Sequence, residues 1–469
     1  MLSKTRKQSF ASDSFFYLLS SIYSSLLSFL FLPFFTRVLT IEQYGLYSIF
    51  LTVVNISSII FNFGTSSSIN RFYVEKRNEI FIYLSNVLFI ITVLSLVMII
   101  ISSFFFSQLS ILLNISSRIL IIALMVGMFT AFEQQFLSYL QALRLSKKFL
   151  IVIIIRTTCI YLISLIGLIG FSENMFEFMI ASRLLPMVII FTVIVVILLM
   201  NNKKISIRIE YIKYALIFGA PLILHNVSGF ILSSIDKVII NSIDTSVSTG
   251  LYSFAYTIGS VMSLVVIALN RAWVPIFYHS LEHDDDNILN EFNKYIVLIE
   301  IITIGLLLFS TEFVFLMSGQ AAYRDTQSIV RIVIVSYFVV FLYTIYANYS
   351  FYFKKTLLIS CFTLLAGIVN IFLNLVLIPL YGYQIAASTT LISFLLLFTL
   401  HYFYVNLIIK PNILIRLQQL IRPMVIVVLA NIFMEYFIID KWVLNFLTRV
   451  VLMLIVIITN FSTLKKFLD

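Results

Sequence analysis

Long apolar stretches, each about as long as one membrane-spanning helix, follow one another along the chain, and short polar segments separate them. A bilayer core accommodates roughly 20 apolar residues per helical span. On that basis the sequence predicts fourteen helices, at residues 12–36, 45–69, 81–105, 117–140, 149–171, 175–200, 214–240, 248–278, 292–317, 328–352, 356–380, 383–408, 419–439 and 443–463. The pattern therefore predicts an all-α, polytopic membrane protein with short loops.

Two short motifs occur twice at the same relative position. Gly45-Leu46-Tyr47-Ser48 returns as Gly250-Leu251-Tyr252-Ser253, and Phe72-Tyr73 returns as Phe277-Tyr278. In both cases the second copy lies 205 positions after the first. Each copy follows an apolar helix that a proline interrupts. Repeats at a fixed offset are typical of transporters built from two similar halves.

This repeat predicts two pseudo-symmetric lobes of six helices around a central cavity. We expect an N-terminal lobe at 1–205, a C-terminal lobe at 206–410 and two additional helices within 411–469. The polar stretch 201–213 lies where a linker between the lobes is expected. No loop is long enough for an extramembrane domain of catalytic size.

Composition agrees with a membrane location. The chain is 61% apolar and only 11% charged, whereas soluble domains carry about a quarter charged residues. The net charge of +10 comes from Lys and Arg in short clusters between apolar stretches, which indicates membrane topology and not a nucleic-acid partner. The N-terminal basic residues precede a long apolar run without a small-residue cleavage site, so we expect a retained first helix.

The distribution of basic residues predicts the orientation. Most of the 31 Lys and Arg residues fall on the same side as the N-terminus when the predicted helices are threaded through a membrane. The opposite side receives only Arg37, Arg118, Lys237, Arg324, Arg331, Lys441 and Arg449. Cytoplasmic loops are enriched in Lys and Arg. We therefore expect an even number of helices with both termini in the cytoplasm.

Three arginines lie within the predicted helices: Arg156, Arg183 and Arg271. A charged side chain at membrane depth is costly unless it faces a cavity or a partner, so each is a candidate functional residue. A planar guanidinium that stays charged suits a phosphate-bearing ligand in a wet cavity. The alternative is an ion pair that only joins helices, as Arg271 with Glu300 would be.

A coupling ion would need a titratable or acidic site, and the candidates are Glu133, Asp236 and His225. Each has a structural alternative. Asp236 can pair with the adjacent Lys237, and Glu133 can join the following two glutamines in a hydrogen-bonded cluster between helices.

The sequence contains no glycine-rich phosphate loop, no zinc-protease motif and no set of Ser, His and Asp on one face. Cys159 and Cys361 lie in apolar stretches and are interpreted as packing residues. The acidic stretch at 284–286 lacks the ligand spacing of a calcium loop and is interpreted as solvated. We therefore predict no enzyme activity, no metal site and no cofactor.

Several stretches resemble one family. They are Leu32-Pro33-Phe34-Phe35-Thr36-Arg37-Val38-Leu39 with Glu42 to Tyr47, Asn62-Phe63-Gly64 with Asn70 to Tyr73, Pro221 with Ser234-Ile235-Asp236-Lys237, and Asn370 to Gly382 with Ala386-Ala387-Ser388-Thr389. Residues 12 to about 408 thereby resemble bacterial polysaccharide-exporting and O-antigen flippases of the multidrug/oligosaccharidyl-lipid/polysaccharide superfamily. Ile385 replaces a glycine often found before the paired alanines, and the position of Asn62 usually carries another residue.

The resemblance implies a flippase that moves an undecaprenyl-diphosphate-linked oligosaccharide from the cytoplasmic to the outer leaflet of the bacterial inner membrane by alternating access. The cargo would be a repeat unit of O-antigen or capsule type, and one chain would contain the whole pathway. We assign Arg156, Arg183 and Arg271 to the head group of that cargo, because of their charge and depth and not because of a matched motif.

Two alternatives remain at this stage. A multidrug antiporter of the same superfamily, coupled to protons or sodium ions, would favour acidic residues in an apolar cavity. A membrane-embedded polysaccharide polymerase or ligase would need a long outer loop, which the pattern does not predict.

Overall fold

The computed structural model describes residues 10–170, 175–201, 206–283, 287–436 and 442–461. Within these residues the regular secondary structure is helical. The chain divides into two compact units, residues 1–250 and 251–469. The acidic stretch 284–286 and part of the predicted linker, 202–205, lie outside the described residues.

Eleven helices lie within the first unit, and a twelfth crosses the boundary at Gly250. They are α1 Phe10–Leu30, α2 Leu32–Val38, α3 Ile41–Asn62, α4 Ser66–Glu75, α5 Ile80–Phe104, α6 Phe106–Leu113, α7 Ser117–Ala142, α8 Ser146–Gly170, α9 Met175–Ser182, α10 Leu184–Asn201, α11 Ile209–Ile243 and α12 Ser246–Gly259.

The second unit continues with eight further helices. They are α13 Val261–His283, α14 Ile288–Leu308, α15 Ser310–Met317, α16 Gln327–Tyr352, α17 Thr356–Tyr381, α18 Ile385–Tyr404, α19 Gln418–Tyr436 and α20 Trp442–Thr459. Short 3-10 segments at Arg77–Glu79 and Ala321–Thr326 and a π-helical turn at Val405–Ile409 complete the described helical structure.

Twelve described helical segments are long and apolar enough to cross a membrane. A thirteenth crossing arises if α14 and α15, which are bent by 53°, form one span, and the shorter apolar helix Val443–Thr459 follows. The prediction of an all-helical polytopic protein is confirmed. The last predicted span, 443–463, extends beyond the described residues, which end at 461. The arrangement of two lobes around a central cavity stays a prediction.

The second membrane span is broken between α3 and α4. Phe63 and Gly64 both have positive φ angles, 48° and 69°, a conformation that ends a helix and that glycine adopts without strain. The side chain of Asn62 supports the break, because its Oδ1 accepts a hydrogen bond from the Ser66 backbone N–H at 3.2 Å. The Asn-Phe-Gly sequence therefore ends α3 at Asn62 and lets α4 begin at Ser66.

The two prolines of the repeat have different effects. Pro33 lies in the first turn of α2, directly after the break that separates α2 from α1, where a missing backbone N–H costs nothing. Pro221 lies inside α11, which continues without a break over 35 residues. The second predicted interruption is therefore absent, and α11 is one continuous helix.

The two copies of the Gly-Leu-Tyr-Ser motif meet at their glycines. A Cβ on Gly45 would lie 1.9 Å from the carbonyl oxygen of Ser246, and a Cβ on Gly250 would lie 2.2 Å from that of Ile41. Ser246 and Gly250 lie 205 positions after Ile41 and Gly45, so the two contacts join equivalent positions of the repeat. A second close approach joins Gly64 and Gly219, where an added Cβ would again reach backbone carbonyl oxygens.

Ion pairs join the two C-terminal helices, α19 and α20, to the rest of the second unit. Arg449 of α20 donates to both carboxylate oxygens of Glu312 at 2.7 and 2.9 Å. Arg331 of α16 pairs with Glu435 of α19. The charge pattern places Arg331 and Arg449 on the outer side, whereas the structure buries both within helices, at 6% and 5% exposed. A desolvated guanidinium needs a carboxylate partner, and these two pairs supply it.

The motif that begins at Asn370 forms a buried hydrogen-bonded ladder between α17 and α18. Asn374 donates to Asn370 Oδ1 at 3.2 Å, and Asn370 donates to the hydroxyl of Thr390 at 3.4 Å. The hydroxyl of Thr389 donates to Asn374 Oδ1. All four side chains are at most 1% exposed. Buried polar groups need hydrogen-bond partners, so this stretch has a packing role.

We expect Gly45→Ala to destabilise the protein, because the added methyl group collides with a backbone carbonyl that cannot rotate away. Overpacking of this kind costs about 1–3 kcal/mol, and the thermal unfolding temperature of the purified protein in detergent measures it. Gly229→Ala is the matched control, since its Cβ meets nothing within 4 Å. Equal unfolding temperatures for the two variants would contradict the close glycine contact.

We also expect strong coupling between Arg449 and Glu312. Arg449→Met leaves the carboxylate of Glu312 without its partner and destabilises by about 3 kcal/mol, whereas Arg449→Met/Glu312→Met together costs less than the sum of the single changes. A double-mutant cycle of unfolding temperatures checks this. Arg118→Met, at an exposed position, serves as the control, and strict additivity of the cycle would refute the coupling.

Candidate functional site

Two of the three predicted arginines line one cavity in the first unit. Arg156 of α8 and Arg183, which lies between α9 and α10, border a cavity of about 200 Å³, here called the arginine cavity. Its other lining residues are Ser24, Ser28, Leu51, Val54, Asn55, Val126, Thr130, Thr157, Ile160, Tyr161 and Met187. The wall therefore combines two guanidinium groups with hydroxyl and amide groups.

Arg156 has a carboxylate partner. Its Nη1 lies 3.0 and 3.1 Å from the two carboxylate oxygens of Glu133 on α7. Glu133 is 1% exposed, so the pair satisfies a charge that burial would otherwise make very costly. The predicted cluster of Glu133 with its neighbouring glutamines is wrong in this respect, because Glu133 faces α8. Twenty-three positions separate the two residues, and no short-range pattern in the sequence connects them.

Arg183 is held by a tyrosine. Its Nε donates to the Tyr47 hydroxyl at 2.7 Å, and the guanidinium lies 5.3 Å from the centre of the same ring. Tyr47 belongs to the first copy of the repeated motif and is 4% exposed. Within the described part of the chain, no carboxylate lies within ion-pair distance of Arg183. The two arginines that line this cavity, taken together with the Glu133 carboxylate that pairs with Arg156, carry an excess of one positive charge.

A second and larger cavity lies in the same unit. It has a volume of about 530 Å³ and is here called the amide cavity. It lies where α3, α4, α7, α8 and α11 approach one another. Its lining residues are Ile59, Asn62, Ser66, Gln134, Leu137, Ser138, Gln141, Phe149, His225, Asn226 and Gly229. None of these is Lys, Arg, Asp or Glu, so amides, hydroxyls and one imidazole provide the polar groups.

Asn62 anchors the wall of the amide cavity. Gln135 Nε2 donates to Asn62 Oδ1 at 2.8 Å and to the Thr65 hydroxyl at 3.0 Å. Asn62 Nδ2 in turn donates to Gln134 Oε1 and to the hydroxyl of Ser66. This network fixes the Gln134 amide by its oxygen and leaves its NH₂ group without a described partner. The sequence marks this position by three consecutive polar residues in an apolar helix, but it does not indicate that the two glutamines meet Asn62.

The two cavities lie along the same helices. Phe149 of the amide cavity and Arg156 of the arginine cavity are seven residues apart on α8, and Asn62 and Asn55 are seven apart on α3. Seven residues of α-helix span about 10 Å. The amide cavity therefore lies about two helical turns from the arginine cavity, on the side of the first residues of α8.

The other predicted site residues lie elsewhere. Arg271 is exposed on α13 of the second unit, and its suggested partner Glu300 instead lies 3.8 Å from Arg422. His225 lines the amide cavity. Asp236 is 1% exposed and borders neither cavity. Hence the three candidates for ion coupling do not converge on one site in the described structure, and their role stays a prediction.

The long apolar helices define a polytopic, α-helical membrane protein with polar cavities among its helices. The family model described as polysaccharide biosynthesis protein matches residues 10–280, and the chain belongs to that family. The resemblance to this family, expected from the sequence, is thereby confirmed.

Three known proteins illustrate the similarity. The Haemophilus influenzae protein named Lsg locus putative protein 1 is 24% identical over 371 residues, which cover 76% of this chain and 89% of that protein. The inward closed structure of the lipid II flippase MurJ has a TM-score of 0.71 at 16% identity, and the match covers 97% of this chain and 99% of that one. An inward-facing multidrug resistance MATE transporter of the MOP superfamily has a TM-score of 0.60 at 16% identity, with 83% and 96% covered. The chain has the MOP fold.

We expect the amide cavity to be accessible to water. In a variant without Cys159 and Cys361, Asn226→Cys should react with a water-soluble maleimide in membranes, because Asn226 is exposed at the cavity wall. Ser228→Cys, two residues away on α11 and 0% exposed, should stay unlabelled. The extent of labelling on a mass-shift gel measures this difference, and equal labelling of both would contradict a hydrated cavity.

Proposed function

We propose that the protein is a flippase for undecaprenyl-diphosphate-linked oligosaccharides of O-antigen or capsule type and that its arginine cavity binds the diphosphate. The observation that carries the proposal is Arg183, a guanidinium within a membrane span that is oriented by Tyr47 and has no carboxylate partner in the described structure. A charge in this position is expensive unless an anionic ligand compensates it for part of a cycle. A diphosphate provides that compensation with charge-assisted hydrogen bonds.

Arg156 has a supporting part in this proposal. Because Glu133 already neutralises it, Arg156 offers its remaining N–H groups to the ligand as hydrogen-bond donors without adding net charge. Arg271 is the third candidate and provides an exposed guanidinium on α13. The membership of a polysaccharide biosynthesis family and the similarity to a structure named lipid II flippase both support a lipid-linked carbohydrate cargo.

The proposed direction is from the cytoplasmic to the outer leaflet by alternating access, in the bacterial inner membrane, with both termini in the cytoplasm. The cluster of basic residues in the predicted inner loops supports this orientation. An antiporter that couples an ion through Glu133 is disfavoured, because a cation site needs a carboxylate free to bind the ion, and Glu133 is paired with Arg156.

The test is complementation of a bacterium that lacks its polysaccharide flippase and makes the cognate lipid-linked repeat unit. We expect the parent chain to restore surface polysaccharide. Arg183→Gln should abolish restoration and accumulate the lipid-linked intermediate, because the excess charge is lost. Glu133→Gln/Arg156→Gln should retain partial function, since the net charge of the cavity is unchanged. Arg37→Gln, at an exposed residue that bonds to its own helix, is the matched control.

Equal expression in the membrane is confirmed for every variant by immunoblot. Full restoration by Arg183→Gln would remove the arginine cavity from the proposal. Failure of the parent chain with its cognate cargo, together with increased drug tolerance, would support the antiporter.

A further inference from the structure

The amide cavity has the chemistry of a carbohydrate site. Amides donate and accept hydrogen bonds at once, as sugar hydroxyls require, and hydroxyl side chains do the same. Six of its lining side chains are amides or serine hydroxyls: Asn62, Ser66, Gln134, Ser138, Gln141 and Asn226. The ring of Phe149 adds an apolar surface. Its volume of about 530 Å³ falls within the range of small-molecule sites.

The hydrogen-bonding groups of this cavity are only partly used within the protein. Asn62 is committed to Gln134, Gln135 and Ser66, which holds one wall rigid. By contrast, the side chains of Gln141 and Asn226 make no hydrogen bond to any described residue, and both are exposed at the wall. A rigid wall facing uncommitted donors and acceptors is a preorganised arrangement for a polar ligand.

The absence of charge among the lining residues selects the class of sugar. A hexuronate or other acidic sugar would place its carboxylate here without a cationic partner, so the water that it loses on contact with the wall would not be compensated by an opposite charge. The positive charges of the arginine cavity lie about two helical turns from the amide cavity along α8. A ligand that spans both cavities therefore carries an anion at one end and uncharged hydroxyls about 10 Å from it.

We propose that the amide cavity is a subsite for an uncharged sugar of the cargo, adjacent to the diphosphate in the arginine cavity. This inference rests on the proposed function and adds that the second sugar from the diphosphate is neutral. Gln141 and Asn226 are its selective contacts, and Phe149 packs against the apolar face of the sugar ring.

The experiment measures lipid binding to the purified full-length protein in nanodiscs by native mass spectrometry. Three probes are compared: undecaprenyl diphosphate, the same lipid bearing a disaccharide of N-acetylhexosamines, and the same lipid with the second sugar replaced by a hexuronate. We expect the neutral disaccharide to bind about tenfold more tightly than the bare lipid, as one or two added hydrogen bonds provide. The hexuronate probe should bind no better than the bare lipid.

Asn226→Leu and Gln141→Leu should each remove most of this gain while bare undecaprenyl diphosphate still binds, which also shows that the variants are folded. Asn78→Leu and Gln108→Leu, at exposed residues that line neither cavity, are the matched controls and should keep the full gain. Arg183→Gln should weaken all three probes.

The outcomes separate the two proposals. If bare undecaprenyl diphosphate binds but the neutral sugar adds nothing, or if the leucine variants keep the gain, the sugar subsite is refuted and the proposed function stands. Preference for the hexuronate refutes the subsite as well. If none of the three lipids binds to the parent chain, the proposed function fails and the subsite fails with it.

Discussion

The ion pair between Glu133 and Arg156 is the interaction on which the first unit depends. Both groups lie at membrane depth, and Glu133 is almost fully buried, where an isolated charge is far less stable than in water. The pair joins α7 to α8 and allows Arg156 to border a cavity without being an uncompensated charge. Among the described residues, Arg183 is then the arginine of this cavity that has no carboxylate partner. Because Glu133 neutralises Arg156, the excess positive charge is that of Arg183.

The helix pair α3 and α4 positions most of the functional groups. It contributes Tyr47, which orients Arg183, and Asn62, which anchors the amide cavity. Gly45 and Gly64 let other helices approach to backbone contact at two places along it. Close packing at small residues is how membrane helices associate when lipid is as apolar as their side chains. The same stretch therefore supplies both the packing contacts and the polar groups of the two cavities.

In the second unit, paired polar groups join helices to one another. Its buried amide and hydroxyl ladder between α17 and α18 and its arginine–carboxylate pairs to α19 and α20 satisfy polar groups within the protein. These contacts attach the two C-terminal helices firmly to the rest of the unit. Among the described residues, Arg271 remains exposed and distinct from these paired arginines.

The membrane class, most of the helical spans and the family can be predicted from the sequence alone. Apolar length is a local property, and so are the motifs at Leu32, Asn62 and Asn370, so each can be read without knowledge of the fold. The repeat of Gly45 at Gly250 was also visible, although its meaning as a backbone contact was not.

The contacts between polar groups, by contrast, follow from how the helices pack. Arg156 finds Glu133 across 23 positions and Arg183 finds Tyr47 across 136. Asn226 of α11 and Gln141 of α7 share the amide cavity because both helices pack against α3 and α4. An α-helix places neighbours on one face only at spacings of three or four residues. Partners on different helices depend on packing, rotation and depth, which no pattern along a single chain contains.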